Sequence, residues 1–163
     1  MADVFSKAKR SEVMSRIQSR GNEATEVALA RLLRVNKISG WRRHLEIRGR
    51  DRSPLRVGRL SAKRGAHGVT RLTFRVKPDF VFPKARLALF VDGCFWHGCP
   101  RHGTQPKGNR AFWKNKLVQN KARDRRVNRA LRQAGWRVVR IWECALKKHP
   151  LNCLRRIQRG LRV

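Results

Sequence analysis

The sequence predicts an α/β fold, a mixed central β-sheet flanked by helices, from three observations. Leu72, Phe74 and Val76 alternate as one face of a strand does, and a second apolar run at 87–91 follows after a connection broken by Pro83. Residues 109–134 carry Trp113, Leu117, Asn120, Asp124, Val127 and Leu131 at four-three-four-three-four spacing, which is the period of a helix. Residues 136–142, with Val138, Val139 and Ile141, read as a further strand in a central, two-sided position. Strand pairs joined once by a turn and once by a helical crossover call for both antiparallel and parallel neighbours.

Taken in order, residues 1–20 are basic, with isolated apolar side chains such as Met14 and Ile17, and form an N-terminal arm. Asn22 is a plausible N-cap for a helix to about residue 35 with Leu29, Leu32 and Leu33 as its buried stripe. A turn at Ser39 and Gly40 leads to a strand over 41–47. Residues 49–71 are dense in arginine and glycine without a period, so they are expected to be a basic loop insertion that touches phosphates. The strands around Asp79 and Asp92 form a hairpin-like meander that brings both acids to one end or face of the sheet. Gly135 stops the long helix, and a short final helix covers 151–161. One domain is expected over residues 21–163.

Charge narrows the function. The 163 residues include 41 Lys and Arg against ten Asp and Glu, a formal charge of +31, which repels itself in any compact state that lacks a polyanionic partner. Double-stranded DNA is the partner expected. No long apolar span, clean amphipathic helix or leader-like apolar stretch is visible, so no membrane role and a cytoplasmic, nucleoid-associated location are expected. Three of the four cysteines sit beside histidine or at a strand end, a pattern of a zinc site in a reducing compartment rather than of disulfides.

Residues 91–102, VDGCFWHGCPRH, concentrate the chemistry. Cys94, Cys99 and His102 lie on one turn-rich segment and Cys144 follows a separate strand, giving three thiolates and one imidazole for a closed, structural Zn2+ site. His97 is a competing ligand unless it is kept for catalysis, and Cys153 reads as core. Phosphodiester hydrolysis commonly needs Mg2+ held by carboxylates, with a histidine as base. Asp79, Asp92 beside His97, and Glu26 and Asp124 from helices supply those parts. Glu26 falls on an apolar helix face, where it needs either an arginine or a role beside a metal. Phe95, Trp96 and Trp113 lie among basic residues, where aromatics stack on bases or wedge between base pairs.

The runs RSEVMSRI (10–17), PDF (78–80), FVDGCFWHGCPRH (90–102), FWKNK (112–116), NKARDRR (120–126) and GWRVVRIWEC (135–144) resemble the very short patch repair (Vsr) DNA mismatch endonucleases. The resemblance covers nearly the whole chain except 49–71. It implies a restriction-endonuclease-like core, a structural zinc, and Mg2+-dependent nicking of one strand beside a T:G mismatch in DNA repair by a protein monomeric on DNA, with a possible repair partner. Carried over by position, Asp79 and the backbone carbonyl of Val91 hold Mg2+, His97 is the base or orients the water, and Glu26 and Asp124 orient waters around the metal. Phe95, Trp96 and Trp113 match the wedge beside the mismatch, and Met14 matches an arm residue entering the minor groove. Asp92 stands where some members carry histidine, as a metal ligand or as the partner of His97. A related site-specific or homing endonuclease cutting matched DNA and a zinc-stabilised, non-catalytic DNA-binding protein are the competing readings.

Overall fold

A computed structural model describes residues 23–50, 73–103 and 108–162. The expected arm 1–20 with Met14, the cap at Asn22 and most of the basic insertion lie outside the described residues. A π-helical turn, Glu23–Val27, runs directly into helix α1, Ala28–Val35. Strands β1 (Arg42–Arg43), β2 (Ile47–Arg50), β3 (Thr73–Val76), β4 (Phe80–Phe82) and β5 (Leu87–Asp92) follow. Helix α2 is Arg110–Gln133, strand β6 is Arg137–Trp142, and helices α3 (Glu143–Lys148) and α4 (Pro150–Leu161) end the described chain.

The main sheet has the order β1-β4-β5-β6, antiparallel across the first two pairings and parallel across the last. The mixed sheet flanked by helices is therefore as expected, with α2 as the crossover between parallel β5 and β6. Alternation along β4 and β5 explains how two layers of helices are held. Phe80, Phe82, Leu87 and Leu89 point to one side, where they pack with Leu29 and Leu33 of α1 and Cys153 and Ile157 of α4. Val81 and Ala88 point to the other side, against Leu131 of α2 and Ile47 of β2. Both faces are covered, so these strands read as continuous apolar runs. Burying a side chain such as Leu33 or Ile157 contributes about 1.5–3 kcal/mol.

In α2 the expected stripe is the one that packs: Trp113, Leu117, Asn120, Asp124 and Val127 are half-buried and Leu131 is fully buried. The helix stops because Gly135 takes φ +78, letting its N–H reach Arg132 O at 2.9 Å and that of Trp136 reach Leu131 O at 2.9 Å.

Four expectations are corrected. The strand expected over 41–47 is broken into β1 and β2 by His44 at φ +51. Gly49 and Arg50, expected in the basic loop, belong to β2, which pairs with β3 in a separate two-stranded sheet. The Gly49 position accommodates the Phe74 ring, which would lie 2.5 Å from any Cβ there. Strand β6 is at the end of the main sheet rather than central; its two-sided apolar pattern comes from α2 on one face and α4 on the other. Residues Glu143 and Cys144 open a short helix rather than trailing off the strand.

Candidate active site

Asp79 directly precedes β4, and continuing the antiparallel register with β5 sets it across from Phe90, next to Val91, whose N–H donates to Asp79 Oδ2 at 2.7 Å. On the other side of β4, β1 brings His44, whose N–H donates to the Asp79 carbonyl oxygen at 3.3 Å. Glu26 reaches the same place from the π-helical turn. It is 5% exposed, contacts the Arg43 guanidinium, and lies 3.0 Å from His44 Nε2. Glu26, His44 and Asp79 each offer one donor atom to a group spanning no more than 4.8 Å. Burial pushes the Asp79 carboxyl up to about 6, partly opposed by the Val91 N–H and reinforced by the neighbouring charge of Glu26.

The second half of the site is built on His97. Its Nδ1 lies 2.6 Å from Asp124 Oδ2 on α2 and 3.6 Å from Asp92 Oδ1 at the end of β5. Burial alone would raise Asp124, but the hydrogen bond with His97 and the charge of Arg140 hold it below the ordinary carboxylate range. An ionised Asp124 accepts only, so the His97 Nδ1–H donates to it, and in the neutral ring Nε2 keeps the lone pair. Asp92, 4% exposed, accepts two bonds of 2.7 Å from Arg140 in a bidentate pair. Arg140 also lies 3.2 Å from Asp124 and 3.1 Å from Asn128 Oδ1, with its guanidinium over the Phe90 ring. Of the two sequence alternatives for Asp92, the geometry is closer to a partner of His97, shared with an arginine.

Asp79, Val91, Asp92, His97, Asp124 and Glu26 all line one cavity of about 690 Å³. Its rim carries Arg75, Lys77, Lys116 and Arg123. All five acidic and imidazole candidates read from the sequence thus converge. Two participants are not among them. His44 carries no motif signal. Arg140 does leave one, a charge between Val139 and Ile141 in an otherwise apolar strand.

Cys94, Cys99, His102 and Cys144 also converge, all four donor atoms lying within 4.8 Å of one another. Cys99 Sγ is 3.8 Å from Cys144 Sγ and 4.0 Å from His102 Nδ1. Tetrahedral zinc with ~2.3 Å bonds to sulfur sets its sulfurs ~3.8 Å apart, so the donor set fits a four-coordinate structural ion. Burial pushes the Cys94 thiol up to about 12, with Cys144 and Cys99 adding to it. Burial also opposes ionisation of Cys99, yet hydrogen bonds from the Arg101 N–H and from His102 bring it down to about 6. The group could hold zinc, and His97 takes no part in it. Cys153 is 2% exposed in the core, as read from the sequence.

Beside the cavity, which Trp96 lines, stand the aromatics. Phe95 packs edge-on against Trp96 and Trp113, with ring centroids 5.0 and 5.2 Å apart, and the two tryptophans are 6.0 Å apart. Phe112, 54% exposed, extends the cluster from α2. Asn120 of α2 donates to the Trp96 carbonyl at 2.9 Å, fixing the loop from the helix side.

An acid- and histidine-lined cavity at a sheet end, rimmed by lysine and arginine and flanked by half-exposed aromatics, has the chemistry of the DNA endonuclease class. Comparison with known proteins narrows this. The family model for DNA mismatch endonuclease Vsr matches residues 46–102. The DNA mismatch endonuclease Vsr of Escherichia coli is 33% identical over 148 residues, covering 90% of this chain and 77% of that protein. A type II nicking enzyme of Neisseria meningitidis serogroup A, V.NmeAIP, is 32% identical over 164 residues, 99% of this chain and 96% of the relative. A stretch of 69 residues is 56% identical to the type II nicking enzyme V.NaeI of Lentzea aerocolonigenes, and there the match spans only 42% of each chain. The chain belongs to the Vsr family of DNA mismatch endonucleases.

Proposed function

We propose that the protein is a DNA endonuclease that nicks one strand of a duplex beside a T:G mismatch with the aid of Mg2+. The observation that carries this reading is that the His97–Asp124 couple and Asp79 line one cavity next to the Phe95, Trp96 and Trp113 cluster. Family membership supports the DNA substrate, and the basic rim supports attraction of its phosphates.

Asp79, with the Val91 carbonyl, holds the cation, and Glu26 stands beside them. When bound, the cation supplies Lewis-acid charge to the phosphoryl oxygens. His97 takes a proton from the attacking water on Nε2 while Asp124 stabilises the imidazolium that forms. The new P–O bond forms as the bridging P–O bond breaks, and the leaving oxygen takes a proton from solvent water, giving a phosphate monoester and a hydroxyl end. Arg140 fixes Asp92 and Asp124, which both face His97 Nδ1, so the imidazole is held in one orientation. Phe95, Trp96 and Trp113 enter beside the mismatch, where a mispaired step unstacks at lower cost than a paired one.

The fold around this site is read as a restriction-endonuclease-like core in one domain over 21–163, preceded by a basic arm at 1–20 that brings Met14 to the minor groove. The thiol and imidazole group holds a structural Zn2+. The protein acts as a monomer on DNA, at the nucleoid, with a repair protein as a further partner. Among the described residues no helix is long and apolar enough to cross a membrane.

The test is cleavage of one duplex made in T:G and C:G versions, with products mapped. The expected result is a single Mg2+-dependent nick in the T:G duplex. Equal cutting of both would replace the repair reading with site-specific nicking of matched DNA. Binding without cutting, unaltered by Asp79→Asn, would leave a zinc-stabilised DNA-binding protein.

A further inference from the structure

Glu26 and Asp79, which line the cavity, form a donor group with neighbouring His44 that mixes two chemistries. Glu26 and Asp79 contribute carboxylate oxygens and His44 contributes an imidazole nitrogen, all within 4.8 Å of one another. The sheet, and no local sequence pattern, delivers that histidine. Arg43 pairs with Phe80, so the residue following β1 meets the residue preceding β4, and His44 lands beside Asp79. His44 also sits at φ +51, in the left-handed region that side chains rarely adopt but histidine visits more than most. That conformation ends β1 after two residues and leaves the ring nitrogen 3.0 Å from Glu26 Oε2.

The spacing suits a cation as well as a hydrogen bond. Adjacent donors around an octahedral ion with ~2.1 Å bonds stand ~3.0 Å apart. The charge balance favours the ion, since two carboxylates share the group and Arg43 neutralises only one of them, Glu26. A cation beside Asp79 meets the carboxylate that Arg43 does not contact.

We propose that His44 is a direct ligand of the divalent cation held by Asp79, adding one imidazole to that centre beside Glu26, and that it makes this centre bind Mn2+ more tightly than Mg2+. The inference rests on the cavity being a divalent-cation site. Mg2+ takes oxygen donors and keeps its waters, whereas first-row transition ions accept imidazole readily. A histidine in the group therefore shifts the preference of the site toward them.

The experiment uses the full chain loaded with zinc, titrated with Mn2+ or Mg2+ in the absence of DNA, with pulsed EPR of the Mn2+ form to detect coupling to an imidazole nitrogen. His44→Asn is the informative variant because asparagine tolerates the left-handed backbone. The expected result is nitrogen coupling in the parent and a Mn2+ preference of about tenfold or more, both lost in His44→Asn while Mg2+ still binds. Asp79→Asn should weaken both ions. If Asp79→Asn weakens binding but His44→Asn keeps the coupling and the preference, His44 is not a ligand and the cavity remains a cation site. If Asp79→Asn binds both ions as the parent does, the cation lies elsewhere and the underlying reading falls as well. Absence of nitrogen coupling in the parent protein overturns the proposal even if His44→Asn does not fold.

Discussion

Replacing Asp79 by asparagine should make the metal-free protein more stable while abolishing nicking. The side chain is held between burial, which opposes its charge, and the Val91 N–H, which favours it. Asparagine keeps an acceptor for that N–H and loses the charge. Raising the carboxyl from its ordinary 3.8 to about 6 corresponds to ~3 kcal/mol of destabilisation once it is ionised in the native state. The cost is absent below the unfolded value, where both states are protonated, and grows to its full size as pH rises through the folded value. Water in the open cavity reduces it, so a gain of about 1–3 kcal/mol is expected for Asp79→Asn at pH 7.5, shrinking by roughly two-thirds at pH 4.5.

Urea denaturation in Mg2+-free buffer, with zinc retained, reads this directly as a shift in midpoint at unchanged slope. Added Mg2+ should then stabilise the parent and leave the variant unmoved, because only a group bound in the folded state shifts the equilibrium. A variant no more stable than the parent at pH 7.5, or one whose gain is the same at both pH values, would refute burial of the charge as the cause.

Three further outcomes follow from the same geometry. Cys99→Ala should leave less than about half an equivalent of zinc after purification in reductant, measured by metal analysis, since a closed four-ligand site loses most of its affinity with one thiolate. Arg140→Met should destabilise by about 3–5 kcal/mol in urea, because it leaves the buried carboxylate of Asp92 without its bidentate partner; the double change with Asp92→Asn should recover much of that loss. Trp113→Ala should cost about 1–3 kcal/mol of affinity for a T:G duplex in a binding titration while reducing affinity for the matched duplex less.

The parts of the site visible in the sequence are those whose signal is local or chemical. Asp124 and Asn120 are legible because a 3.6-residue period places two polar side chains in an apolar stripe, and both meet the loop, at His97 and at the Trp96 carbonyl. Cys144 is legible because two cysteines and a histidine on one segment leave a tetrahedral set one ligand short, and a thiol at the end of a strand completes it. His44 is hidden because its place depends on β1 pairing with a strand 37 residues later, counted from Arg43 to Phe80, and on a backbone turn that no residue nearby announces. Strand β2 is hidden for a similar reason. An Arg- and Gly-rich run has no alternation of its own, and pairing with β3 alone makes it a strand.

The segment 91–102 combines three kinds of residue that would be expected to conflict, since a loop soft enough to meet DNA orients a base poorly. The conflict is resolved by holding the segment from both sides. At its start Val91 and Asp92 are still in β5, paired in parallel with Ile141 and Trp142. Tight turns follow, with the His97 N–H on Gly93 O at 3.2 Å and the Cys99 N–H on Cys94 O at 2.9 Å. Helix α2 grips the outer side through Asn120 and Asp124, while Cys144 of α3 draws in Cys94 and Cys99 beneath. His97 therefore gets its orientation from α2 and β6, through Asp124 and Arg140, and the metal-type group serves to set the height of the aromatic loop above the sheet. Stability and catalytic geometry are for that reason separable here: losing the zinc-type group should loosen Phe95 and Trp96 before it releases the imidazole from Asp124.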